Sequence, residues 1–254
     1  MAGSNGIDLP TEFVADGPAV RLVAVTHGEP SAANRAAVAR LVEQVAEASD
    51  GREVTISFVD ASTADVASAV ADAADAESVI VPLTLSAGYH VRTGLSFGLE
   101  RIGAAARLAG ELGPDDRLVG ILAERLAEAG LDPRDQVLLA AAGSNDPRAV
   151  RECFETARRL GHRLGRAVTV GFIAAAIPRL PDAIEMIREV HPGTRIVVAP
   201  YLLAPGAFYD SVLAAGADVV ASPLIAHGGS APRGLVDVVL DRYEGVASDR
   251  LRFA

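Results

Sequence analysis

Two stretches of this 254-residue chain repeat one another at a nearly constant spacing, and that repeat limits the folds open to it. Aligning LVAVTHG with VLLAAAG pairs Gly28 with Gly143, an offset of 115. VTISFVD over VTVGFIA pairs Phe58 with Phe172 at an offset of 114. SVIVPLTLSAGYH over RIVVAPYLLAPGAF pairs Pro82 with Pro200 and Gly88 with Gly206 at an offset of 118. A period this long far exceeds that of solenoid repeats, so the expectation is two similar domains joined near Leu131–Arg134. The expected division is a loose acidic leader over 1–20, a first domain over 21–131 and a second over 132–254.

Within each half, short β-branched runs alternate with longer Ala/Leu/Arg/Glu segments of helical period, the pattern of βαβ units around a parallel sheet. Strands are expected at Arg21–Thr26, Val54–Val59, Val79–Leu83, Arg117–Gly120, Gln136–Ala141, Val168–Ile173, Arg195–Ala199 and Asp218–Ala221. Helices are expected near Ala32–Ala48, Ala64–Ala74, Leu95–Leu108, Ile121–Ala129, Arg148–Leu164, Leu180–Glu189 and Gly234–Tyr243. The fold class that follows is α/β: two similar doubly wound parallel-sheet domains from an internal duplication.

Composition narrows the chemistry. All 23 basic residues are arginine, which excludes lysine Schiff bases and a lysine-bearing P-loop. A net charge of −10 argues against a non-specific nucleic-acid binder, whose affinity comes from neutralising phosphates. The one cysteine, Cys153, forms neither an internal disulfide nor a zinc cluster and reads as a small buried apolar side chain. No apolar run approaches the roughly 18 residues of a spanning helix, and the leader lacks a signal-peptide pattern. A soluble cytoplasmic protein is therefore expected, with no membrane partner.

In parallel α/β folds ligands bind beyond the carboxyl ends of the strands. In the first half His27 follows the first strand, Asp60 the second, and His90 lies on the loop after the third. Two imidazoles and a carboxylate at one sheet edge form an open nitrogen and oxygen site for a divalent first-row ion. The repeat supplies a control within the same chain: His27 corresponds to Ala142, Asp60 to Ala174 and His90 to Phe208. Polar groups needed for folding alone would be needed in both halves. One half is thus expected to do chemistry and the other to supply the opposite wall of a cleft.

The motifs VTHG, SFVD and VPLTLSAGYHVR in the first half, with LLAAAGSNDPRA, VVAPYLLAPGAFYD and ASPLIAHGG in the second, resemble the sirohydrochlorin chelatase family in its long two-domain form. The resemblance runs from about Arg21 to Glu244, although the first loop reads HGEP where the family has a longer HGSRDP-like sequence. It implies a chelatase-like fold and insertion of Co²⁺ or Fe²⁺, with Ni²⁺ also compatible, into a polycarboxylate tetrapyrrole, for sirohaem or cobalamin biosynthesis. The metal is then a substrate and no other cofactor is required. His27, His90 and Asp60 become the metal-handling and catalytic residues, since a neutral imidazole with its ordinary pKa of about 6.5 can ligate an ion or accept a pyrrole proton. Arg92 is expected to pair with a substrate carboxylate, and Tyr89 and Phe208 to flank the ring.

Two other readings compete. VTHGEP and IAHGGSAPR resemble histidine phosphatases, with His27 as nucleophile and His227 as partner, but Thr26 stands where that chemistry needs an arginine. A non-catalytic tetrapyrrole or metal carrier is the second, resting on the altered loop at Glu29 and on Thr93-Gly94, which stand after YHVR where the family has an acidic residue and a proline. A monomer or a homodimer fits either enzyme reading.

Overall fold

The computed structural model describes residues 20–27, 31–49, 52–59, 78–86, 95–96 and 106–248. In chain order its elements are β1 (Arg21–His27), α1 (Ala32–Glu47), β2 (Val54–Val59), β3 (Ser78–Pro82), β4 (Arg107–Leu108) and α2 (Asp116–Glu128). There follow β5 (Gln136–Ala141), α3 (Pro147–Leu164), β6 (Val168–Phe172), α4 (Leu180–Val190), β7 (Ile196–Tyr201), α5 (Ala207–Leu213), β8 (Val219–Val220) and α6 (Arg233–Ala247). The strands form two parallel four-stranded sheets of identical order, β2-β1-β3-β4 and β6-β5-β7-β8.

The registers of the two sheets match residue for residue. Leu22 pairs with Val54 and Val79, and Val137 pairs with Val168 and Val197, so the sequence offsets of 115, 114 and 118 recur as hydrogen-bonded geometry. The short outer strands extend the symmetry: Val79 lies opposite Arg107 and Val197 opposite Val219, an offset of 112. The strands are apolar on both faces because both are covered. In the second sheet Val137, Leu139 and Ala141 face one cluster with α3, while Leu138 and Ala140 face another with α4 and α5. In the first, Leu22 and Ala24 pack in the larger cluster, and Val23, Val25 and Ile80 on the opposite face are buried as well.

Two sequence expectations are corrected. Arg117–Gly120, expected as a strand, is the first turn of α2, because Asp115 caps the amide of Arg117 and Leu118, Leu122 and Leu126 recur every fourth residue on one buried stripe. The helix expected over Leu95–Leu108 does not run to its end, since Arg107–Leu108 form β4. Helix α5 was not expected at all. The helix expected over Ala64–Ala74 lies outside the described residues.

The last helix of each half packs across the repeat boundary. Helix α2 lies against β7 and α3 of the second half, and α6 returns to lie against β3 and α1 of the first. Matching crossovers deliver them. Ala109 and Leu112 donate backbone N–H to Ile80 and Thr84, as Ala221 and Leu224 do to Val198 and Leu202. An arginine from the arriving helix ties each crossover: Arg242 of α6 donates to the carbonyl of Leu112 at 2.9 Å, and Arg125 of α2 to that of Leu224 at 3.1 Å. One continuous hydrophobic cluster consequently runs through both halves. Among the described residues no helix is long and apolar enough to cross a membrane.

Candidate metal centre at the carboxyl edge

Strand β1 is central in its sheet, and His27 is its last residue, opposite Val59 of β2. Asp60 is the next residue after Val59 in sequence. On the other side β3 ends at Pro82, opposite Val25, and the chain leaves the edge with Leu83 donating its N–H to Val25 at 2.7 Å. The structure thus places the backbone of His27 at the carboxyl edge. Asp60, Tyr89, His90 and Arg92 lie outside the described residues. Among the described residues no three His, Cys, Asp or Glu side chains gather to hold a metal ion. His162, His191 and His227 are all exposed.

The edge of the second sheet is fully described and carries hydrocarbon. Ala142 and Ala174 are half-buried there, and their loops close on one another through the bonds Ile173 N–H to Ala141 and Ala174 N–H to Ala142, each 2.9 Å. Gly143 makes that closure feasible. Its φ of 90° is open to glycine, and a Cβ would sit inside the carbonyl oxygen of Ala174. Phe208, second residue of α5, is 48% exposed, and Ile177, on the loop after β6, is 80% exposed. Phe154 of α3, also half-exposed, meets the ring of Phe172 edge-on at 5.9 Å.

The two carboxyl edges are in contact. Asn34, in the first turn of α1 and close after the His27 loop, donates through Nδ2 to the carbonyl of Pro205 at 3.1 Å, on the loop that leads to Phe208. Tyr201, the end of β7, donates its hydroxyl to the carbonyl of Leu85 at 2.9 Å, on the loop that leads to His90. The start of α1 and the loop after β3 in the first half therefore both meet the end of β7 and the loop that follows it in the second.

Three arginines stand at these edges that the sequence pattern did not single out. Arg35 of α1 lies 5.2 Å above the ring of Phe58, near the end of β2. Arg148 opens α3 and pairs with its cap Asp146, and Arg179 precedes α4 and bonds the carbonyl of Ile173. Hydrogen bonds from the Arg148 amide and then its side chain hold Asp146 below the usual carboxylate range. Arg148 was legible only as part of NDPRA, whose Asp-Pro reads as a helix start and says nothing of the sheet edge beside it.

The CbiX family model matches residues 21–129 and 136–238. Sirohydrochlorin ferrochelatase from Priestia megaterium is 32% identical over 141 residues, a match that covers 52% of this chain and about half, 53%, of that relative's length. SirB from Bacillus subtilis, solved with Fe³⁺, superposes with a TM-score of 0.69 at 18% identity, covering 92% of this chain and 98% of SirB. A CbiX described as the terminal enzyme of sirohaem biosynthesis in denitrifying bacteria gives a TM-score of 0.60 at 22% identity, covering 86% and 96%. At such identities the two structures speak to the fold.

Proposed function

The chain belongs to the CbiX family, and from that premise we propose that it is a metal chelatase that inserts a divalent ion, Co²⁺ or Fe²⁺, into sirohydrochlorin. The observation that carries this reading is the asymmetry of the repeat. The two sheets share their order and register, while the sequence at and after their first three strands carries His27, Asp60 and His90 in one half and Ala142, Ala174 and Phe208 in the other.

Metal insertion exchanges two pyrrole N–H protons for one M²⁺, so the site must present an ion and take away two protons. His27 and His90 hold the ion as it is delivered, one of them also accepting a proton, and Asp60 orients an imidazole or relays the proton outward. The ion and the macrocycle are the only reactants. The half-exposed Phe208 and the exposed Ile177 give the ring an apolar wall, with Tyr89 from the first half on its other side. Carboxylates on the rim find Arg92, Arg148 and Arg179. Such local pairing is needed because the net charge of −10 repels a polycarboxylate as a whole, and salt screens that repulsion only beyond about 8 Å.

Absorbance-monitored insertion of Co²⁺ and Fe²⁺ into sirohydrochlorin tests the proposal. His27→Ala and His90→Ala should each slow turnover by about 10²-fold or more. Wild-type rates in both variants would overturn the assignment, and tight binding of ring or ion by the wild type without product would favour a carrier.

A further inference from the structure

A polar groove runs between the start of α2 and the last turns of α3, lined by Asp116, Val119, Arg158, Arg159, His162 and Arg163. Its volume is about 560 Å³, within the range of small-molecule sites. Helix α3 opens at the carboxyl edge of the second sheet and ends where the Arg166 N–H bonds Gly161, just before β6 begins. The groove is thus at the amino edge, the far end of an 18-residue helix about 27 Å long.

The internal repeat separates what the fold requires here from what it does not. Helices α1 and α3 correspond at an offset of 115, set by their caps Ser31 and Asp146. Helices α2 and α6 correspond at 117, which pairs Arg125 with Arg242 and the buried Leu118 and Leu122 with Leu235 and Val239. The matching groove between α1 and α6 is lined by Gln44, Glu47, Ala48, Ala231, Arg233 and Val236 and holds about 280 Å³. Arg159 therefore stands in the place of Gln44, His162 of Glu47, Arg163 of Ala48 and Asp116 of Arg233, with Val119 in the place of Val236. One groove is basic along α3 and the other is not basic along α1, so the crossing of these helices does not itself call for the cations.

Part of the basic set works within the protein. Glu155 accepts from Arg158 at 2.8 Å and from Arg159 at 2.7 Å, and Arg159 reaches Asp116 at 3.0 Å. These bonds fix two guanidiniums along the groove and neutralise its two carboxylates. The side chains of Arg163 and His162 have no hydrogen-bond or ion-pair partner among the described residues. A cation in the last turn complements the helix dipole, yet α1 ends without one.

The groove floor is bare as well. Gly120 of α2 lies beneath Arg163, and a Cβ there would meet nothing nearer than Arg163 Nη2 at 3.9 Å, an ordinary contact. Packing therefore admits a side chain at 120, and glycine inside a helix is destabilising relative to alanine. Its counterpart is Asp237, which accepts from Arg233 at 2.8 Å. The second groove answers its cation with its own carboxylate, whereas the first leaves Arg163 unanswered above an empty floor.

We propose that the groove between α2 and α3 binds a small multivalent oxyanion through Arg163 and His162, with Arg158 and Arg159 beside them. A guanidinium offers paired N–H donors to a phosphate or a carboxylate group alike. The site does not rest on the chelatase reading.

Titration calorimetry on the full-length chain tests it, at low ionic strength where charge pairing is least screened, with pyrophosphate and citrate as the probes. A single saturable site is expected. Tighter pyrophosphate assigns phosphate groups to the ligand, and tighter citrate assigns carboxylates. Arg163→Ala should weaken binding about tenfold or more, and His162→Ala several-fold, each with the wild-type Tm. Gly120→Glu sets a carboxylate beside Arg163 and should abolish binding without lowering Tm, because it replaces a glycine within a helix. Glu47→Ala, in the matching groove, should bind as the wild type does. The absence of saturable binding by either anion overturns the proposal, as does wild-type affinity in Arg163→Ala or in Gly120→Glu. Loss of binding in Arg179→Ala with retention in Arg163→Ala also overturns it, by seating the anion at the carboxyl edge.

Discussion

Asp115 accepts hydrogen bonds at 2.9 Å from the Arg117 amide, Nε and Nη2, and at 3.3 Å from Nη2 of Arg242. It caps α2 and ties that helix to α6 with one carboxylate. Burial alone would raise its pKa, but the bonds and charge from Arg117, with Arg242 behind, outweigh it and hold the group below its ordinary value. A carboxyl whose pKa is lower folded than unfolded contributes stability above the ordinary carboxylate range of about pH 4, and that contribution disappears as pH falls through the folded value. Asp115→Asn retains a capping oxygen and cannot titrate. Its urea midpoint should accordingly fall less than that of the wild type between about pH 6 and pH 3. Parallel slopes for the two proteins would mean that Asp115 does not couple to acid unfolding. At Gly113 the constraint is steric, because a methyl group has no room between Tyr201 and Leu85. Gly113→Ala should cost about 1–3 kcal/mol by overpacking, read as a lower urea midpoint at unchanged m-value.

At the level of elements, the central strands and long helices were legible because their signals are strong. Caps such as Asp146-Pro147 and runs such as QVLLAA admit one reading. The errors fall where local signals are short. RLVG, four residues with an apolar centre, fits a buried strand or a helix turn equally, and only the continuation to Leu122 and Leu126 decides it. Strand β4 has two residues, too few to show a period. Helix α5 begins without a side-chain cap after Gly206, so nothing in its sequence announces a start. The repeat sets His27, Asp60 and His90 against alanine and phenylalanine in the sequence itself, but the bond from Tyr201 to Leu85 has no such signal. A tyrosine in an apolar strand reads as core until the loop across the seam is known. The helix exchange was equally hidden, and Arg125, 14% exposed, tests how much its tether matters. Arg125→Leu keeps the apolar stem and removes the donor to Leu224, and should cost about 1–2 kcal/mol. A midpoint equal to the wild type would show the crossover held by its backbone bonds alone.

For the molecule as a whole, the exchange of α2 and α6 bears on what the duplication achieved. Each sheet takes one of its covering helices from the other half, so cutting the chain at 131 strips both sheets at once. From α6 alone Leu235, Val236, Val238 and Val239, each at most 2% exposed, would lose their partners on β3 and α1. At 1.5–3 kcal/mol per side chain that is about 6–12 kcal/mol, as large as the whole stability of an ordinary domain. The fragment 1–131 should therefore show no cooperative thermal transition as a monomer, and the same should hold for 132–254. Mixed in equal amounts, the two should recover one transition and a 1:1 complex by analytical ultracentrifugation. A monomeric 1–131 fragment that melts cooperatively would show that the first half carries its own core and that the exchanged helices only join two finished domains. If the fragments do depend on one another, the half that ends β1 in His27 cannot take up its edge geometry without the half whose edge carries Ala142 and Ala174. The same dependence would keep the second half in the chain whatever its own edge binds.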